Sequence, residues 1–121
     1  MKLVVAGSRD FDNRTLMFDE LDDIIDKYNI TEIISGGAKG ADFLGEEYAK
    51  ETNINLTIMP AEWSVYGKRA GHKRNIQMLE YTDIVIAFWD GVSRGTKHMI
   101  QETRKSRKVL IVINYNEEDD W

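Results

Sequence analysis

Five short apolar runs rich in β-branched residues, separated by amphipathic stretches, constrain this chain more than any other feature. The runs are Leu3–Ala6, Glu32–Ser35, Asn55–Met59, Ile84–Phe88 and Val109–Ile113. They are nearly continuous in Val, Ile and Leu and lack strict alternation, as expected of strands covered on both faces. In the stretch Thr15–Tyr28, Leu16, Phe18, Leu21, Ile24, Ile25 and Tyr28 recur at helical spacing, with Asp12 or Asn13 placed to cap. Gly40–Glu51, Gly71–Glu80 and Thr96–Ser106 read as three further helices. Strand and helix therefore alternate from β to β. That order implies a three-layer α/β sandwich, a parallel five-stranded sheet with helices on both faces and right-handed crossovers.

A length of 121 residues fits one domain, taken as 1–113, followed by an acidic tail over 114–121 that ends in Trp121. The chain has no cysteine, which excludes disulfides, thiolate metal sites and a cysteine nucleophile. No run approaches membrane-spanning length and no secretory h-region opens the chain, so a cytoplasmic protein with no membrane partner is expected. The net charge of -5 argues against a general nucleic-acid coat. The charge is unevenly distributed, however: residues 62–108 carry twice as many basic as acidic side chains, including Lys68, Arg69, Lys73 and Arg74. The Arg104–Lys108 cluster reads equally well as a solvated helix face.

Glycines are concentrated directly after the strand candidates, at Gly7, at Gly36, Gly37 and Gly40, at Gly67 and Gly71, and at Gly91 and Gly95. In open α/β sheets these loops share one edge, where ligands bind at a switch in strand order. The stretch from Ser35 through Gly36, Gly37, Lys39 and Gly40 to Asp42 leaves a strand and opens a helix. Such a turn aims backbone N–H groups and the positive helix end at an anion. Ser35 stands where the Gly-x-Gly-x-x-Gly fingerprint needs glycine, and no Gly-Lys-Ser/Thr follows, so both standard phosphate motifs are incomplete. The alternative is a plain tight turn. After the first run, Gly7 admits close approach, Ser8 supplies a hydrogen bond and Arg9 can grip phosphate or carboxylate with two prongs. After the fourth, Ser93, Arg94, Gly95 and Thr96 offer donors before a helix. Asp90 is placed for a ribose hydroxyl and Trp89 for a base, although a core tryptophan is the commoner outcome. Trp63 and Tyr66, in the long loop Pro60–Ala70, lie beside basic residues in a pattern suited to base stacking. Arg74 and Asn75 follow at the start of the third helix.

Catalytic residues are not identified by pattern. Asp42, Glu46, Glu62 and Asp90 are the acids nearest the proposed edge, and each doubles as a cap, an ion-pair partner or a ribose ligand. His72 and His98 have no metal-ligand spacing, so no metal is expected.

Taken together, Gly7-Ser8-Arg9, Ser35 through Asp42, Ala70-Gly71 with Arg74, Asn75 and Met78, and Phe88 through Thr96 resemble the YspA-type family (DUF2493) of the SLOG superfamily. These are small Rossmann-like proteins of bacteria and their phages. The superfamily also contains the Smf/DprA DNA-processing proteins and the LOG-type phosphoribohydrolases. The resemblance implies a nucleotide or nucleotide-derived ligand, with no firmly implied cofactor. It assigns binding to Arg9, Ser35, Gly36, Gly37, Gly40, Asp42, Arg74, Asn75, Ser93, Gly95 and Thr96. The LOG-type loop Pro-Gly-Gly-x-Gly-Thr-x-x-Glu is matched less well, since Ser35 replaces its proline and Glu46 is displaced by one position. Three functions follow as expectations: binding or sensing of a small nucleotide-derived molecule, hydrolysis of an N-glycosidic or phosphate bond, and single-stranded nucleic-acid binding. Apolar helix faces are compatible with a homodimer.

Overall fold

A computed structural model describes residues 1–116. The strands are β1 (Lys2–Gly7), β2 (Glu32–Ser35), β3 (Asn55–Ile58), β4 (Ile84–Trp89) and β5 (Val109–Asn114). All pair in parallel in the order β3-β2-β1-β4-β5, which puts Leu3 between Ile33 and Ile84 at the centre of the sheet. Strand alternation then divides the core in two. Leu3 and Val5 face one layer with Met17, Leu21 and Tyr48, from α1 (Arg14–Tyr28) and α2 (Ala41–Thr52). Val4 and Ala6 face the other with Met78, Leu79 and Met99, from α4 (Ala70–Tyr81) and α5 (Arg94–Ser106). Each large apolar side chain so covered contributes about 1.5–3 kcal/mol relative to exposure. The expected three-layer, Rossmann-like α/β sandwich is the observed fold.

Local signals set the helix ends. Asn13 caps α1, its side-chain oxygen accepting the Leu16 N–H at 3.0 Å. The helices α1, α2 and α5 each stop on a left-handed residue, Asn29, Asn53 and Arg107. The ammonium of Lys108 donates to the Leu79 and Thr82 carbonyls at 2.6 and 2.7 Å, which closes the end of α4. That gives one member of the Arg104–Lys108 cluster a structural task.

Two expectations need adjustment. The stretch Pro60–Ala70 is not an open loop. It contains a single turn, α3 (Trp63–Tyr66), and a 3₁₀ turn (Gly67–Arg69) that leads straight into α4. One turn is too short to show helical periodicity in sequence. In addition, β5 continues to Asn114, and Tyr115 packs edge-on against Phe11 at 4.7 Å between ring centroids. The remainder of the acidic tail, including Trp121, lies outside the described residues. Among the described residues no helix is long and apolar enough to cross a membrane.

Candidate functional site

The chain leaves β1 and β4 toward opposite sides of the sheet, and the crevice between them is the switch point. Ser8 organises it. Its N–H donates to the Phe88 carbonyl at 3.0 Å, and its carbonyl accepts the N–H groups of Phe11 and Ala41, both at 3.2 Å. Its hydroxyl accepts the Asp90 N–H at 3.1 Å. One residue thus ties together the loops after β1, β2 and β4. Gly40 permits this contact: its φ is +74°, and a Cβ there would collide with the Ser8 and Arg9 carbonyls.

A cavity of about 480 Å³ opens at this point, within the roughly 300–1,000 Å³ of small-ligand sites. Gly7, Ser8 and Arg9 line it from the first loop, and Asp42 from the start of α2. Trp63, Arg74 and Asn75 line it from α3 and α4, and Asp90, Ser93, Gly95 and Thr96 from the loop into α5. These candidates therefore meet in one place.

Asp42 and Arg74 form its electrostatic floor. Asp42 is only 6% exposed, and burial pushes its carboxyl up from the ordinary 3.8 to about 6, against the pull of the Ala38 N–H and Arg74. The Ala38 N–H reaches Asp42 Oδ2 at 3.2 Å. Arg74 Nη1 donates to the Gly36 carbonyl at 2.6 Å, and its Nε donates to Asn75 Oδ1 at 3.2 Å. Burial lowers the guanidinium pKa, and Asp42 offsets part of that shift. A Cβ at Gly36 would displace the Arg74 guanidinium and the Asp42 carboxylate from their present places.

Several candidates have different roles from those the sequence suggested. Ser35 is fully buried under the glycine loop. Its hydroxyl donates to Glu46 Oε2 at 2.6 Å and accepts the Gly37 N–H at 3.0 Å. Ser35 and Glu46 therefore shape the loop and do not line the cavity. Two of the amides expected to cradle phosphate, those of Gly37 and Ala38, are already bonded within the loop. Trp89 is not among the residues that line the cavity; its Nε1–H donates to the Ser93 carbonyl at 3.1 Å and holds the α5 entry in place. Arg94 is exposed at the first turn of α5, outside the cavity wall. Gly36, Gly37 and Lys39 line a neighbouring cavity instead. Asp90 Oδ1 accepts the Val92 and Ser93 N–H groups at 2.9 and 2.7 Å. Burial opposes its charge, but these bonds outweigh it and hold the carboxyl below its ordinary value.

The sequence did not reveal the two histidines' relation. His72 and His98 stack face to face at 3.9 Å with ring planes 3° apart, and His72 lines the cavity. Asn75 Nδ2 bridges the Gly95 carbonyl at 3.1 Å and His98 Nδ1 at 3.2 Å, which makes that ring nitrogen an acceptor. Lys68, from the basic cluster, also lines the cavity, as does Asp10, which was not singled out for it. Only the adjacency of α4 and α5, a property of strand order, brings the histidines together.

A parallel α/β sandwich with a cavity at its switch point defines a Rossmann-like fold. Residues 1–66 match the YspA, cpYpsA-related SLOG family, and the chain belongs to it. The Gene 61 protein of Mycobacterium phage D29 is 33% identical over 124 residues, covering 96% of this chain and 97% of that protein. The fold is shared with DNA processing protein A from Helicobacter pylori, with a TM-score of 0.67 and 22% identity, over 98% of this chain and 68% of that one. It is also shared with TM1055, with a TM-score of 0.66 and 18% identity, over 90% and 71% of the respective chains.

Proposed function

We propose that the protein binds a small phosphate-bearing nucleotide or nucleotide-derived molecule in the switch-point cavity. The observation that carries this reading is the convergence of Arg9 and Arg74 with Asp42, Asp90, Ser93 and Thr96 on one cavity wall. Guanidinium groups suit the phosphate, carboxylates suit sugar hydroxyls, and the exposed Trp63 ring suits a base. Each charge-assisted hydrogen bond is worth about 1.5–3 kcal/mol, so two or three support micromolar binding after ordering costs. A thermal-shift screen of nucleotides, NAD and ADP-ribose tests it, with Arg9→Ala as the control. A hit that stabilises the wild type and not the variant supports the reading, and no hit in the panel removes its support.

A second reading is hydrolysis of an N-glycosidic or phosphate bond, favoured by the single fact that Asp42 lines the cavity with a pKa near 6. Such a carboxyl exchanges protons close to neutral pH. Mass spectrometry of each hit after incubation separates the two: an unchanged ligand supports binding alone, and a cleaved one with loss of cleavage in Asp42→Asn supports the enzyme. Single-stranded DNA binding, which the Helicobacter pylori protein displays, requires instead an affinity that falls steeply with salt.

A further inference from the structure

A second cavity adjoins the first. It is also about 480 Å³, lies against the loops after β2 and β3, and shares Arg9, Ala38, Trp63 and Arg74 with the switch-point cavity. The two compartments differ in charge. The first mixes cations with the carboxylates of Asp10, Asp42 and Asp90. Among the described residues, the charged ones lining the second are Arg9, Lys39 and Arg74, and no carboxylate joins them. Its remaining wall is apolar or backbone, from Gly36, Gly37, Pro60, Ala61 and Trp63. Trp63 lines both compartments and stands against Gly71 at the start of α4.

We infer that the ligand is a dinucleotide-type molecule, two nucleoside-sized groups joined through phosphate, with one group in each compartment and the phosphate bridge between Arg9 and Arg74. This rests on the nucleotide reading of the first cavity and extends it. Three observations point the same way. The two arginines belong to both walls, so a phosphate held there continues into either space. The second compartment matches the first in volume, which a phosphate tail alone would leave largely empty. Beyond its cations it presents Pro60, Ala61 and Trp63, a surface that suits a flat apolar ring better than it suits bare phosphate. The same chemistry occurs in a free pyrophosphate-bridged dinucleotide and in two consecutive residues of a single strand.

Calorimetry on the full chain with four probes tests the inference: adenosine monophosphate, adenosine triphosphate, NAD and a short single-stranded oligodeoxynucleotide. The expected result is NAD or the oligonucleotide binding at least about tenfold more tightly than the monophosphate, which is about 1.4 kcal/mol. Ala61→Trp, which fills the second compartment, removes that advantage and leaves monophosphate binding unchanged. Ala61→Glu does the same by repulsion, so the result does not depend on how one variant folds. Preference for NAD identifies a free dinucleotide, and preference for the oligonucleotide identifies a strand. Triphosphate binding as tight as either assigns the compartment to phosphate and overturns the inference. Monophosphate binding with no gain for either two-nucleoside probe overturns it while sparing the nucleotide reading. No binding by any probe defeats both.

Discussion

Replacing Asp42 with Asn tests the electrostatics of the cavity floor directly. The folded protein holds this carboxyl at about 6, against 3.8 in the ordinary state. At about 1.4 kcal/mol per pKa unit, the difference amounts to about 3 kcal/mol. The sign follows from proton counting. Between these two values the folded chain keeps a proton that the unfolded chain has lost, so stability falls as pH rises through the window. The wild type carries the whole penalty at neutral pH. Asn is neutral throughout and keeps an acceptor for the Ala38 N–H. Urea unfolding followed by tryptophan fluorescence, at several pH values between about 4 and about 7.5, gives the stability difference between the two proteins. Subtraction removes the titration of every other group that the substitution leaves alone. The variant gains up to about 3 kcal/mol on the wild type across the range. A difference that stays flat, or that runs the other way, means that Arg74 and Arg9 stabilise the charged carboxylate more than burial opposes it, and the reasoning fails.

Other perturbations have equally definite outcomes. Lys108→Met removes the cation from the α4 carbonyls and lowers stability by about 1–2 kcal/mol in denaturant titration. Gly40→Ala forces a Cβ against the Ser8 and Arg9 carbonyls at positive φ, and a loss of more than about 1 kcal/mol is expected by thermal unfolding. His98 is held below its ordinary 6.5 by burial first and by the stacked His72 second. Its unfolded form therefore binds a proton first as pH falls, and stability declines through that range. An NMR titration of the ring should give a midpoint below 6.5, and a midpoint above it contradicts the stack.

The strands were legible because their signal is local. Runs such as Ile84–Phe88 announce burial on both faces, and glycines after four of them mark the ligand edge without any knowledge of strand order. Residues on those loops that project into the switch point, such as Arg9, Asp42 and Thr96, were read from the same signal. What stayed hidden depends on contacts distant in sequence. Whether Ser35 looks outward or down toward Glu46 is set by the pleat of β2 against α2. The closure of the glycine loop on Ser35 and Asp42 consumes amides that the sequence alone leaves free. The direction of the Trp89 indole and the pairing of His72 with His98 follow from which helices lie side by side. The turn at Trp63–Tyr66 is too brief to leave a period, so the wall between the two compartments looked like loop.

The left-handed residues Asn29, Asn53 and Arg107 all lie where helices turn back toward the sheet, at the rim opposite the cavity. At that rim the chain must reverse, and backbone conformation decides which residues fit. The cavity rim also needs special backbone, at Gly37, Gly40 and Gly91, where φ is positive, so a change there acts on folding and on the cavity together. The opposite rim lies across the sheet, and replacing one of its left-handed residues alters how easily the chain reverses, and with it resilience to heat or denaturant, without touching the cavity wall.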